Sequence, residues 1–173
     1  MPTLGEAMAR VGRHFGKRPA MRDSQGETNW RDFSERITVA AGLLHGLGIK
    51  SGERVAIYAR NSSRFDELKW GAFHAGIVAV PVNWRLAPIE IAHILKDSAC
   101  ELVFVEADFL PIFDATELAP WRDKLVCLAG EGAADISDYE KLFETAPGVG
   151  PADVAPDDDA LILYTGGTTG RSK

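Results

Sequence analysis

At 173 residues, with 46% apolar and 25% charged side chains, the chain can bury one sizeable core and has an ordinary globular composition. A formal net charge of −6 excludes a general nucleic-acid binder, which needs a basic face. It leaves room for a nucleotide held at a local positive site.

Cys100 and Cys127 sit among apolar neighbours with no CxxC or Cys/His spacing, so buried inert thiols and a reducing, cytoplasmic setting are expected. No signal peptide is expected, because Glu6, Arg10 and Arg13 fall where an apolar region would lie. The longest mostly apolar stretch, residues 71–82, contains His74 and Pro81 and is shorter than the ~18 residues of a membrane span.

Thr3-x-x-Glu6 is a capping box, and Leu4, Met8, Val11 and Phe15 follow at helical spacing. A first amphipathic helix should therefore run to about Phe15 and end at Gly16 and Pro19. Its Arg10, Arg13 and Lys17 read as a solvated outer face. Residues 20–22 and 27–30 read as a small hairpin about the turn 23–26. A long helix over 31–47 carries Phe33, Ile37, Ala40, Ala41, Leu44 and Leu47 on one side and stops at Gly48.

Residues 54–58 are a predicted strand, and Asn61-Ser62-Ser63 supplies N-cap residues for a helix burying Phe65, Leu68, Ala72 and Phe73. That helix should stop at Gly76, with a strand over 77–80 ended by Pro81. Strand, helix and strand at this length form a βαβ unit with parallel strands and a right-handed crossover. Pro88 opens the next helix, which buries Ile91, Ile94 and Leu95. A strand is expected over 101–105, a helix over 108–117 despite Pro111, and a strand over 124–128. Ser137-x-x-Glu140 reads as a second capping box before a short helix with Leu142 and Phe143. Residues 146–156, rich in proline and glycine, read as a surface connection. The alternation predicts an α/β fold, a layered and mainly parallel sheet with flanking helices.

His74 sits at an apolar helix end with no carboxylate or second histidine nearby in sequence, and His14, His45 and His93 are read in the same way. They read as hydrogen-bonded structural residues rather than general bases.

The chain closes on Leu161-Ile162-Leu163-Tyr164-Thr165-Gly166-Gly167-Thr168-Thr169-Gly170-Arg171-Ser172-Lys173. Its first half reads as a strand, its second as a loop of glycines, hydroxyls and two cations. Glycine lets backbone N–H groups turn toward a ligand, the hydroxyls donate to phosphate oxygens, and arginine and lysine offset charge. Strand followed by such a loop is a recipe for a phosphate cradle, although a glycine-rich surface turn has the same composition. A Walker A motif is excluded, because Arg171 and Ser172 separate Gly170 from Lys173.

This spacing resembles the adenylate-forming superfamily: acyl-CoA synthetases, luciferases and peptide-synthetase adenylation domains. Their signature reads Tyr-Thr-Ser-Gly-Ser/Thr-Thr-Gly-x-Pro-Lys-Gly. Gly166 stands where serine is common, removing a hydroxyl donor, and Ser172 where proline is common, loosening the loop. Thr28-Asn29-Trp30-Arg31-Asp32-Phe33 resembles the family's first core motif. Residues 73–83, through His74-Ala75-Gly76 to Pro81-Val82-Asn83, resemble its second. Asn83-Trp84-Arg85-Leu86 continues in the manner of fatty-acyl and aryl-acyl CoA ligases.

The resemblance implies an ATP- and Mg2+-dependent acid–thiol ligase. A carboxylic acid, fatty or aryl, becomes an acyl-adenylate and then an acyl-CoA thioester. It implies that Thr165, Gly166, Gly167, Thr168, Thr169 and Gly170 wrap the β- and γ-phosphates, with Lys173 supplying charge and Thr168 nearest Mg2+. Arg171 and Ser172 complete the loop. Family members are several times longer, so residues 1–173 are expected to be the N-terminal part of the AMP-binding domain, without catalytic residues and inactive alone. A homodimer is compatible with this. The alternatives are another adenylate-forming enzyme, a non-catalytic interaction or structural fragment, and a stand-alone phosphate-binding domain.

Overall fold

The computed structural model describes residues 2–24, 26–132 and 134–165. Helix α1 (Leu4–Phe15) begins at the expected capping box: Thr3 Oγ1 accepts the Glu6 N–H, and the Glu6 carboxylate accepts the Thr3 N–H. Strands β1 (Pro19–Asp23) and β2 (Gly26–Asn29) form an antiparallel hairpin. Asn29 then caps α2 (Trp30–Gly46), and its side chain accepts from the Asp32 N–H. Gly48 follows that helix in the left-handed region, at φ +85°, which a side chain would strain.

Strands β3 (Arg54–Tyr58), β4 (Val78–Pro81), β5 (Cys100–Glu106), β6 (Leu125–Ala129) and β7 (Ser137–Asp138) form one parallel sheet in the order β4-β3-β5-β6-β7. Helix α3 (Ser63–His74) joins β3 to β4, α4 (Pro88–Asp97) joins β4 to β5, and α5 (Tyr139–Thr145) follows β7. The βαβ unit over β3, α3 and β4 is as the sequence predicts, with Ser62 capping α3 and Gly76 at φ +69° after it.

The strands alternate their burial between two cores. Val55, Ile57, Ala79, Phe104 and Val126 face one with Leu44, Leu68 and Tyr139; Ala56, Tyr58, Val80, Val103 and Val105 face the other with Ile91, Ile94 and Leu95. A third cluster, Met8, Phe33 and Ile37, holds α1 on α2. Cys100 and Cys127 are buried and unbonded to each other, as expected.

Three expectations need revision. The helix expected over 108–117 is two 3-10 stretches, Ala107–Asp114 and Thr116–Lys124. Pro111 and Pro120 lie inside them, and each removes an N–H that an α-helix would use. Ser137 is not a helix cap. It pairs with Val126 in β7, and Asp138 caps α5 by accepting the Lys141 N–H at 3.1 Å.

The strand expected over 161–165 is one parallel bridge between Leu161 and Ala79. Ala79 N–H donates to Ala160 O and Ile162 N–H to Ala79 O, both at 3.0 Å. The next β4 residue in this alternation is Pro81, which has no N–H, so the ladder stops there.

Residues 146–156 are the surface connection the sequence predicts: they contain no regular element, and they are fastened across two helices. Val149 N–H donates to Thr38 O of α2 at 3.1 Å, and Ala152 N–H to His74 O of α3 at 2.8 Å.

Candidate functional site

In an open parallel sheet, ligands collect beyond the carboxyl ends of the strands, where the strand order reverses. Here that reversal lies between β3 and β5, because the chain steps from β3 to β4 on one side and then crosses to β5 on the other. A cleft of about 710 Å3 lies there, lined by Arg60, Ser62, Arg64, Glu106, Asp108 and Glu140 among others.

The charges in this cleft are mutually satisfied. The Arg60 backbone N–H and Nε donate to Glu106 at 2.9 and 2.8 Å, and its guanidinium also bridges to Asp108. Hydrogen bonds to Glu106 and Asp108 hold the Arg60 guanidinium further into its charged form than usual. Arg64 donates to Glu67 at 3.2 Å and pairs with Glu140. Behind it, Glu67 is buried and accepts from Arg36 Nη2 at 3.1 Å and from the Tyr139 hydroxyl at 2.8 Å. Burial, followed by the Glu67 charge, pushes the Tyr139 phenol well above its ordinary value. Glu67, Tyr139 and Arg36 thus form an ionic keystone between α2, α3 and α5, and not a reactive group. Because each cation already has carboxylate partners, the cleft suits a polar ligand better than a phosphate.

Beside the cleft, the loop after β4 is held by a stack of planar groups. The Arg85 guanidinium lies 3.9 Å over Trp84, Trp84 stacks on Phe109 at 5.6 Å and 17°, and Arg60 covers Phe109 at 5.1 Å. Tyr58 Oη donates to Trp84 O at 3.0 Å and anchors the loop to β3.

The segment leading to the predicted phosphate loop runs parallel to β4 from the Leu161 bridge. Ile162 and Tyr164 lie against the α4-side core, while Leu161 and Leu163 are exposed. Tyr164 Oη donates to Asp97 Oδ2 at 2.6 Å, and burial plus this carboxylate push the phenol up to about 12. Thr165 is exposed. Gly166, Gly167, Thr168, Thr169, Gly170, Arg171, Ser172 and Lys173 lie outside the described residues. So does the predicted Mg2+ contact at Thr168. Among the described residues there is no group of three or more His, Cys, Asp or Glu that could hold a metal ion.

His74 sits where its structural reading puts it. It is buried, with Nε2 3.0 Å from Val149 O, while Nδ1 has no hydrogen-bond partner. Since a carbonyl only accepts, Nε2 carries the proton and Nδ1 is a bare lone pair. Burial holds this imidazole below its ordinary value. His14 and His45 each meet a backbone carbonyl, of Arg10 and Ile49.

The AMP-binding enzyme family model matches residues 8–173. The chain belongs to that family. A fatty acid–[acyl-carrier-protein] ligase, ScoC, from Streptomyces coeruleorubidus is 32% identical over 100% of this chain and 32% of its own length. The long-chain-fatty-acid–CoA ligase FadD13 of Mycobacterium tuberculosis is 38% identical over 77% of this chain and 26% of its own. Among solved structures, the anthranilate CoA ligase AuaEII bound to anthranoyl-AMP superposes with a TM-score of 0.91 over 99% of this chain and 33% of that one. At 22% identity this shows the fold alone. The chain therefore spans about a third or less of the length of these relatives. Among the described residues no helix is long and apolar enough to cross a membrane.

Proposed function

We propose that this AMP-binding chain is the N-terminal part of an AMP-forming acid–thiol ligase that activates a fatty or aryl carboxylic acid. The observation that carries the reading is the family match running through residue 173, so that it includes the glycine- and threonine-rich loop. The names of the relatives, ligases of fatty and aromatic acids with CoA or a carrier protein, support the acid class.

A carboxylate is a poor electrophile, because its leaving group would be an oxide. Attack of its oxygen on the α-phosphate of ATP expels pyrophosphate and makes AMP the leaving group. A thiol, that of CoA, then displaces AMP and leaves a thioester. The protein must hold the carboxylate oxygen in line with the α-phosphate and offset the charge of the departing pyrophosphate. In this reading Thr165, Gly166, Gly167, Thr168, Thr169 and Gly170 present N–H and hydroxyl donors to the β- and γ-phosphates. Lys173 would supply positive charge, and Thr168 would be the hydroxyl that helps hold Mg2+, whose charge would offset that of the phosphates. The two free, buried cysteines support a reducing, cytoplasmic location.

The test is carboxylic-acid-dependent exchange of labelled pyrophosphate into ATP by the protein at its native length, with fatty and aryl acids supplied one at a time. Exchange that requires one acid class supports the reading. ATP hydrolysis to ADP, with no exchange for any acid, contradicts it.

A further inference from the structure

The backbone ladder that carries the chain toward the proposed phosphate loop fails early. After the Ile162 N–H bonds Ala79 O, the next donor on β4 would be the missing N–H of Pro81. Among the described residues, no backbone bond joins the stretch 163–165 to the sheet. Among the described residues, the side chain that ties this stretch down is Tyr164. The Tyr164 ring packs on the α4-side core, and its hydroxyl reaches Asp97 Oδ2 at 2.6 Å, across 67 positions of sequence.

Asp97 is the last residue of α4. A carboxylate there faces the negative end of the helix macrodipole, where a cation is the favourable choice. It is also solvent-exposed, so no core packing requires it. The phenol supplies what the helix end does not: a donor at the short distance of a charge-assisted O–H···O bond.

Resting on the phosphate-loop reading above, we propose that Asp97 is a positioning residue that sets the base of that loop through Tyr164. Asp97 touches no substrate in this account. It clamps the residue immediately before Thr165, so that the loop starts from a fixed point on α4.

The experiment uses the native-length protein in acid-dependent pyrophosphate exchange, comparing wild type with Y164F, D97A, D97N and the Y164F/D97A pair. Each variant is first checked by thermal melting. The expected result is a rise of about tenfold in KM for MgATP in Y164F and in D97A, the factor of one partly exposed charge-assisted bond. KM for the carboxylic acid should not change. The double variant should be no worse than the worse single, because both remove one bond, and D97N, which keeps an acceptor oxygen, should fall between. As an independent readout, the Tyr164 phenol should ionise near 12 in wild type and lower in D97A, which removes the carboxylate and leaves the burial. Unchanged KM for MgATP in an exchanging enzyme overturns the positioning role alone, as does a Tyr164 that ionises near 10 in wild type. A rise in both Michaelis constants together shows general destabilisation and also overturns it. Absence of acid-dependent exchange in wild type overturns the underlying functional reading, and the positioning role with it.

Discussion

Gly42 offers the sharpest test of how the last third of the chain is held. It lies inside α2, where replacing glycine by alanine ordinarily stabilises by about 0.5–1 kcal/mol. A Cβ at Gly42, however, would sit 1.9 Å from the Pro147 carbonyl oxygen and 3.1 Å from the Pro147 carbonyl carbon. A carbon–oxygen contact needs roughly 3.3 Å, so the segment must lift by more than about 1 Å. The obstacle is backbone and cannot swing away. Lifting it breaks the Val149 N–H bond to Thr38 O, now 3.1 Å, and strains the His74 Nε2 bond to Val149 O, now 3.0 Å. At about 1 kcal/mol per bond, with a further ~1–2 kcal/mol for leaving the buried imidazole unpaired, the loss is roughly 3–4 kcal/mol. Net of helix propensity, G42A should be destabilised by about 2–3 kcal/mol, which lowers the melting temperature by roughly 4–12 °C in a chain of this size. G46A is the control on the same helix, since nothing lies within 4 Å of its Cβ position, and it should be neutral or slightly stabilising. Urea denaturation of both variants decides. If G42A proves as stable as G46A, the segment over 147–152 is not seated on α2 as described.

Three further outcomes are expected. Because burial lowers the His74 pKa, the unfolded chain takes up the proton that the folded chain refuses once pH drops below about 6.5. Stability should be insensitive to this group above that pH and fall below it, and H74Q should lose stability less steeply between pH 6.5 and 5; parallel curves would refute this. Ala99 is held at φ +48° while exposed, so A99G should gain about 0.5–1 kcal/mol by chemical denaturation, unless its strain is absent. Finally, the 173-residue chain alone should bind MgATP more weakly than millimolar in calorimetry. A few phosphate bonds at roughly 1.5–3 kcal/mol each must first offset the cost of association, and a submillimolar Kd would contradict that accounting.

Much of the fold is legible because its signals are local. The Thr3/Glu6 box, the Ser62 cap, Pro88 and the glycines after α2 and α3 act through their nearest neighbours, and each element begins or ends where those residues say. What escapes the sequence depends on partners distant along the chain. Leu161, Ile162 and Leu163 have strand propensity, but the partner strand runs out of donors at Pro81, so they make a single bridge. Ser137 and Glu140 have capping-box spacing, yet Ser137 pairs with Val126 and leaves the cap to Asp138. Glu67 looks like an ordinary helix-surface acid until Tyr139, Arg36 and Arg64 converge on it. The proposed phosphate loop is legible only as a motif. Asp97, its suggested anchor, carries no signal beyond being an acid at a helix C-terminus, 67 positions from Tyr164.

The most direct test of the central claim is a single-turnover reaction of the native-length protein with MgATP and a carboxylic acid, quenched and read by mass spectrometry. The account predicts an acyl-adenylate with release of pyrophosphate, and its conversion to AMP and a thioester when CoA is added. Appearance of ADP and inorganic phosphate, with no acyl-adenylate from any fatty or aryl acid, would contradict it.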